Sequence, residues 1–112
     1  MGKEERLTGK KRFGAVYSQG RTWSNYLVVM KALPNGLEGS RYGFAAGKRL
    51  GKAAARNRVK RRFRESVRGK PVKAGWDLIF VARHGAPTAD YHQIKAAIGD
   101  LLARAGLLRE EA

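Results

Sequence analysis

The 112-residue chain reads as one α+β domain, an α/β sandwich with its elements in the order α-β-β-α-β-α. Three observations predict this. Three segments carry apolar residues at helical spacing, and each is closed by a glycine. The runs between them are apolar or β-branched and bounded by turn residues. Finally, a chain of this length can bury one modest core but not two.

Each element has its own warrant. From Lys10 to Gln19, Phe13, Val16 and Tyr17 stand at i, i+3 and i+4, one face of a short helix that stops before Gly20. Trp23 follows in a polar stretch and is assigned to no element. The run YLVVMKAL, Tyr26 to Leu33, is a strand, and the turn chemistry of PNGLEGS leads to a second, antiparallel strand from Arg41 to Gly47. Lys48 to Gly51 is a glycine-flanked loop. Lys52 to Arg68 then runs without Gly or Pro until Gly69 and Pro71, giving the longest helix. WDLIFVA, Trp76 to Ala82, is a near-continuous apolar run of the kind that is buried on both faces of a sheet. Asp90 with Gln93 three residues on forms a capping box. Behind it Ile94, Ala97, Ile98, Leu101, Leu102 and Ala105 mark one helical stripe until Gly106. Residues 107–112 read as a frayed tail. Repeats, linkers and low-complexity segments are absent, so residues 1–112 form a single domain.

Charge then narrows the function. Twenty-four Lys and Arg oppose nine Asp and Glu, a net +15, while 43% of residues are apolar and ten are aromatic. That balance describes a folded protein with a cationic surface, suited to a dense polyanion through counterion release. Without cysteine there are no disulfides, thiolate metal sites or cysteine nucleophiles, and the cytoplasm is the expected compartment. No apolar run approaches the roughly 20 residues that span a bilayer. The opening MGKEERL is charged where a signal peptide would be apolar.

The charge is unevenly spread. Between Lys48 and Arg68, ten of twenty-one residues are Lys or Arg, against Glu65 alone. Ala55, Val59, Phe63 and Val67 form an apolar stripe that packs on the sheet. Lys60, Arg61, Arg64 and Arg68 project on one flank and the outer face, with Arg58 and Arg62 on the other flank. An ordinary solvated helix face mixes signs to gain i,i+4 pairs, and this one does not. Arg56 projects beside the apolar stripe, where it either snorkels along the helix edge or reaches across the sheet toward a ligand. A membrane-surface helix would need a broad insertion face of Trp, Phe or Leu, which is missing here. Nucleic acid is the partner that fits, since arginine forks grip phosphate bidentately.

The segment GKRLGKAAARNRVKRRFRE, Gly47 to Glu65, resembles the arginine-asparagine-arginine signature of the bacterial ribonuclease P protein family. LTGKKRFGAVYSQGR before it, and RYGF and WDLIFVAR on either side, follow the same pattern from about Leu7 to Leu102. The resemblance implies the ribosomal protein S5 domain 2-like fold, with a left-handed β-α-β crossover. It also implies a protein cofactor for a catalytic RNA that removes the 5′ leader of precursor tRNA, one protein per RNA. The RNA would perform the hydrolysis, with Mg2+ held chiefly by the RNA and no catalytic residue in the protein. Carried over by position, Lys48, Arg49, Lys52, Arg56, Asn57, Arg58, Lys60, Arg61, Arg62, Arg64 and Arg68 become contacts to the RNA subunit. Phe13, Tyr17, Lys31 and Ala45 line a cleft for the leader. Two of these depart from the pattern: Lys31 stands where many members carry an aromatic residue, and Ala45 where serine is common. The alternative is a non-catalytic, ribosomal-type RNA-binding protein, with a general DNA-binding role a weaker third option.

Other signals are set aside. Gly47 to Ala53 fails as a P-loop, because three residues rather than four separate the glycines and Ala53 lacks the hydroxyl for magnesium. His84 and His92 are too far apart for a helical metal pair and have no acidic cluster beside them. No acidic pair or activated nucleophile suggests a protein active site.

Overall fold

In the computed structural model, which describes residues 5–109, the apolar run Trp76–Ala82 is the strand around which the other elements gather. In chain order the elements are β1 (Glu5–Arg6), α1 (Lys10–Gln19), β2 (Arg21–Ser24), β3 (Val28–Pro34) and β4 (Arg41–Ala45). After these come a 3-10 turn (Lys48–Leu50), α2 (Ala53–Arg68), β5 (Trp76–Ala82), a second 3-10 turn (Ala86–Thr88) and α3 (Tyr91–Arg104). The three helices and the last strand match the sequence reading, and Asp90 and Gln93 exchange both capping-box hydrogen bonds, at 2.8 and 2.9 Å.

Among the described residues the sheet has five strands, where the sequence suggested three, in the order β1-β4-β5-β3-β2. β5 runs antiparallel to β3 and parallel to β4, so β4-α2-β5 is the expected parallel crossover. The two earlier strands do run in opposite directions, but they do not pair, because β5 lies between them. The physical reason is burial: the most apolar strand takes the central position, where neighbours cover both its edges and both its faces. β2, with Trp23, escaped notice because only Trp23 turns inward from an otherwise exposed edge strand. β1, two charged residues long, has no pattern to read.

Alternation along the strands assigns two layers. Met30, Ala32, Leu78 and Phe80 point to one face, where Val59, Phe63 and Val67 of α2 and Ile94, Ile98, Leu101 and Leu102 of α3 close the main core. Ala55, the fourth member of the predicted stripe, is only half-buried, and Ser66 takes a buried place beside the stripe, its hydroxyl donating to the Arg62 carbonyl. On the opposite face Val16 of α1 packs with Leu7 and Ile79 in a smaller cluster.

The frayed tail is corrected over its first three residues. Leu107 is buried, its carbonyl accepts from the Lys73 N–H, Leu108 bridges to Val72, and the Arg109 N–H donates to the Pro71 carbonyl at 2.7 Å. Gly106, at a φ of +73°, turns the chain back after α3 so that these pairings form. Residues 110–112 of that tail lie outside the described residues.

One polar group sits inside this frame. The Asp77 carboxylate on β5 is fully buried, with a side-chain exposure of 0%. It accepts from Arg41 of β4 at 2.7 and 2.8 Å, from Asn35 at 3.0 Å, and from Arg12 of α1. Burial pushes its pKa up, but the hydrogen bonds from Arg41, Asn35 and Arg12 and the Arg41 charge outweigh that and lower it to about 2. A folded-state pKa below the ordinary 3.8 stabilises the fold above that pH, and the contribution disappears as pH falls toward 2. Asp77→Asn should therefore cost about 3 kcal/mol at neutral pH, since it leaves two guanidiniums without their anion. Denaturant titrations should show the gap between wild type and variant closing between about pH 4 and pH 2; a constant gap would contradict the assignment.

Candidate nucleic-acid interface

The packing stripe determines where the cations of α2 go. With Val59, Phe63 and Val67 buried, Asn57, Arg58, Arg61 and Arg68 are exposed, and Lys48, Arg49 and Lys52 continue that exposed surface from the preceding turn. The ion pairs of Asp77 and Asp100 are made with Arg12, Arg41 and Arg104, none of them from α2.

Four of the predicted contacts are more specific than exposed charge. Arg56 folds back so that its Nε donates to the Gly51 carbonyl at 3.1 Å, holding the glycine-bounded turn against the start of the helix. It thus neither snorkels nor reaches across the sheet. Arg62 donates to the Ala89 carbonyl at 2.9 Å and ties α2 to the turn before α3. Lys60 and Arg64 lie on the other flank, over the outer edge of β4, with the Arg64 guanidinium 5.6 Å from the centre of the Phe44 ring. Phe44 in turn stacks on Phe80, at 5.9 Å between ring centres.

The four cleft residues share the opposite sheet face. Lys31 lies in register with Ile79 and Gly43, and Val29, Val81 and Ala45 form the next row. Helix α1 crosses above. Phe13 rests directly on Gly43, where any Cβ would stand 2.6 Å from the Phe13 ring, so glycine is what allows the helix to approach. Val16 covers Ile79. Tyr17 is 42% exposed, and burial of the rest of its ring raises its pKa, keeping the phenol neutral. The Lys31 ammonium lies 5.9 Å from the centre of that ring and donates to the Thr22 hydroxyl at 2.9 Å. Val29, Val81 and Ala45 in the next row are half-buried, an apolar strip of the sheet that stays partly open beside α1. Phe13 is chiefly a packing residue, whereas Tyr17 presents a free ring with a cation beside it.

Sequence reasoning missed a second concavity. Arg6, Leu7, Phe13, Tyr42, Gly43, Phe44, Lys60 and Arg64 line a cleft of about 450 Å³ around the outer edge of β4. Alternation in RYGF separates Tyr42 and Phe44 from Gly43, but nothing in the sequence says which edge of that strand is open. Among the described residues, no group of three or more His, Cys, Asp or Glu gathers as a metal site, and no helix is long and apolar enough to cross a membrane.

Comparison with known proteins gives one consistent result. The Ribonuclease P family profile matches residues 1–106. A ribonuclease P protein component of Dehalococcoides mccartyi is 42% identical over 108 residues, covering 96% of this chain and 90% of that protein. One from Caldanaerobacter subterraneus is 41% identical over 112 residues, covering 96% and 97%. Among solved structures, the RNase P protein of Staphylococcus aureus superposes with a TM-score of 0.85 at 27% identity, over 96% of this chain and 100% of that one. That of Thermotoga maritima gives 0.82 at 27%, over 90% and 97%.

The geometry separates cations that hold the fold from cations that face outward. Arg62→Ala should lower unfolding stability by about 1 kcal/mol through the lost bond to Ala89, while Arg61→Ala should leave it within about 0.5 kcal/mol. Equal effects in chemical denaturation would contradict the division.

Proposed function

The chain belongs to the ribonuclease P protein family, and on that premise we propose that it binds the catalytic RNA of ribonuclease P and the 5′ leader of precursor tRNA. The observation that carries this reading is the placement of two different surfaces on opposite sides of one sheet. One side has α2, nearly one-signed with Glu65 alone against its cations, whose exposed cations suit the phosphates of a folded RNA and specify no sequence. The other side has the groove beside α1, with the Tyr17 ring, the Lys31 ammonium and an apolar floor. A stacking ring with a neighbouring cation accepts any base, which suits a leader whose sequence varies.

In this reading the RNA subunit performs the phosphodiester hydrolysis and chiefly holds the Mg2+. The protein lowers the repulsion between the two RNAs, positions the leader and raises the affinity of the complex for magnesium. Cytoplasmic location and one protein per RNA belong to the same proposal. Where family members carry an aromatic residue, Lys31 shifts this groove from stacking toward charge, and Ala45 removes a hydroxyl contact.

Purified protein should rescue precursor-tRNA cleavage by the catalytic RNA at low magnesium, and failure to rescue would sink the proposal. A scaffold protein of ribosomal type would stabilise the RNA without distinguishing leader from no leader. Tyr17→Ala should reduce the preference for precursor over mature tRNA by about 1 kcal/mol or more. An unchanged preference in parallel binding titrations would favour the scaffold alternative.

A further inference from the structure

The cleft at the outer edge of β4 lies between the two surfaces assigned above, sharing Lys60 and Arg64 with the one and Phe13 with the other. β1 pairs with β4 only at Arg41 and Tyr42, and the last rung is the Leu7 N–H donating to the Tyr42 carbonyl at 2.9 Å. The chain then leaves the sheet edge to enter α1. Backbone groups alternate along a strand, so Phe44, two residues beyond Tyr42, directs its N–H and C=O out of the same edge, where no strand follows among the described residues. These two groups open into the 450 Å³ cleft, within the range of about 300–1,000 Å³ found for small-ligand sites.

What surrounds them is asymmetric. Arg64 and Lys60 come to the edge from the α2 side, Phe13 from the α1 side, and the exposed Arg6 of β1 also lines the cleft. Among the described residues, the lining contains three cations and no carboxylate. An added peptide strand would find a single free rung before the chain turns at Gly47, too little for strand addition. A nucleotide fits better. A base carries a donor and an acceptor side by side on one edge, two flat faces, and a phosphate on either side.

We propose that this cleft is a slot for one unstacked nucleobase of the RNA that α2 faces. The base enters edge-on, pairs its donor–acceptor edge with the Phe44 C=O and N–H, and lies between the Arg64 guanidinium and the Phe13 ring. Lys60 and Arg6 take the flanking phosphates. The inference rests on the reading of α2 as the RNA-facing helix and adds to it a base contact where that reading requires only phosphates.

The test uses the full chain, labelled with 15N, and three probes: a uridylate pentamer, the same pentamer without bases, and inorganic phosphate. The Phe44 amide resonance should move with the pentamer that carries bases and stay in place with the other two. Arg64→Lys keeps the charge but loses the planar stack, so it should weaken the base-bearing pentamer about fivefold or more and leave the abasic one unchanged. Equal movement with all three probes would reduce the cleft to a general anion site and overturn the proposal. So would a silent Phe44 amide while those of Val29 and Val81 respond, or a response to an acidic peptide instead of the pentamer. None of these readouts depends on cleavage, so failure of the slot and failure of the magnesium rescue are separately visible.

Discussion

The fold turns on the buried carboxylate of Asp77. From the central strand it gathers Arg12 of α1, Arg41 of β4 and Asn35 of the β3–β4 loop, so three separate segments are set relative to one anion. In a chain with an excess of fifteen positive charges, a carboxylate is the scarcer partner, and this one is used where it constrains most. The position of α1 follows from it. Arg12 is one residue from Phe13, and the same helix face carries Val16 and Tyr17, so holding Arg12 holds the roof of the groove.

The cationic helix obeys a different constraint. Like charges along α2 disfavour the helix, and what offsets them is the burial of Val59, Phe63 and Val67 against the sheet and α3. The apolar stripe therefore acts as an orienting device, since its direction decides which cations reach outward and which turn inward. Arg62 and Arg56 are diverted to backbone carbonyls of the protein, and Lys60 and Arg64 to the edge of β4. A uniform charge run in the sequence becomes three populations in space, one structural, one outward-facing and one lining a cleft.

How far the sequence foretold this depends on where each signal resides. Local chemistry was legible: Gly20, Gly69 and the Asp90–Gln93 box mark helix ends because caps are made by neighbours in the chain. The identity of β5 was legible too, because burial on both faces demands an unbroken apolar run. Strand order was not, since pairing β5 between β3 and β4 leaves no mark on the loop that joins those two. β2 was hidden for the same reason that edge strands are soluble, namely side chains that face water. Of the groove, Phe13 and Tyr17 were visible as a helical pair and Lys31 and Ala45 through family resemblance. The β4 edge was invisible because its openness is a property of what β1 fails to cover.

The central place of β5 has a bearing on how the chain is made. During synthesis β1, β4, β2 and β3 all leave the ribosome before it, yet without it the β1–β4 and β2–β3 pairs are two unconnected halves. α2 emerges in that interval, when β5 and α3, which complete its packing, do not yet exist. A bare cationic segment would then stand close to ribosomal RNA, itself a dense polyanion. Non-local contacts must form together once the last third has appeared, so the domain cannot fold piecemeal from its N-terminus. Folding of this domain therefore waits until β5 and α3 are both available.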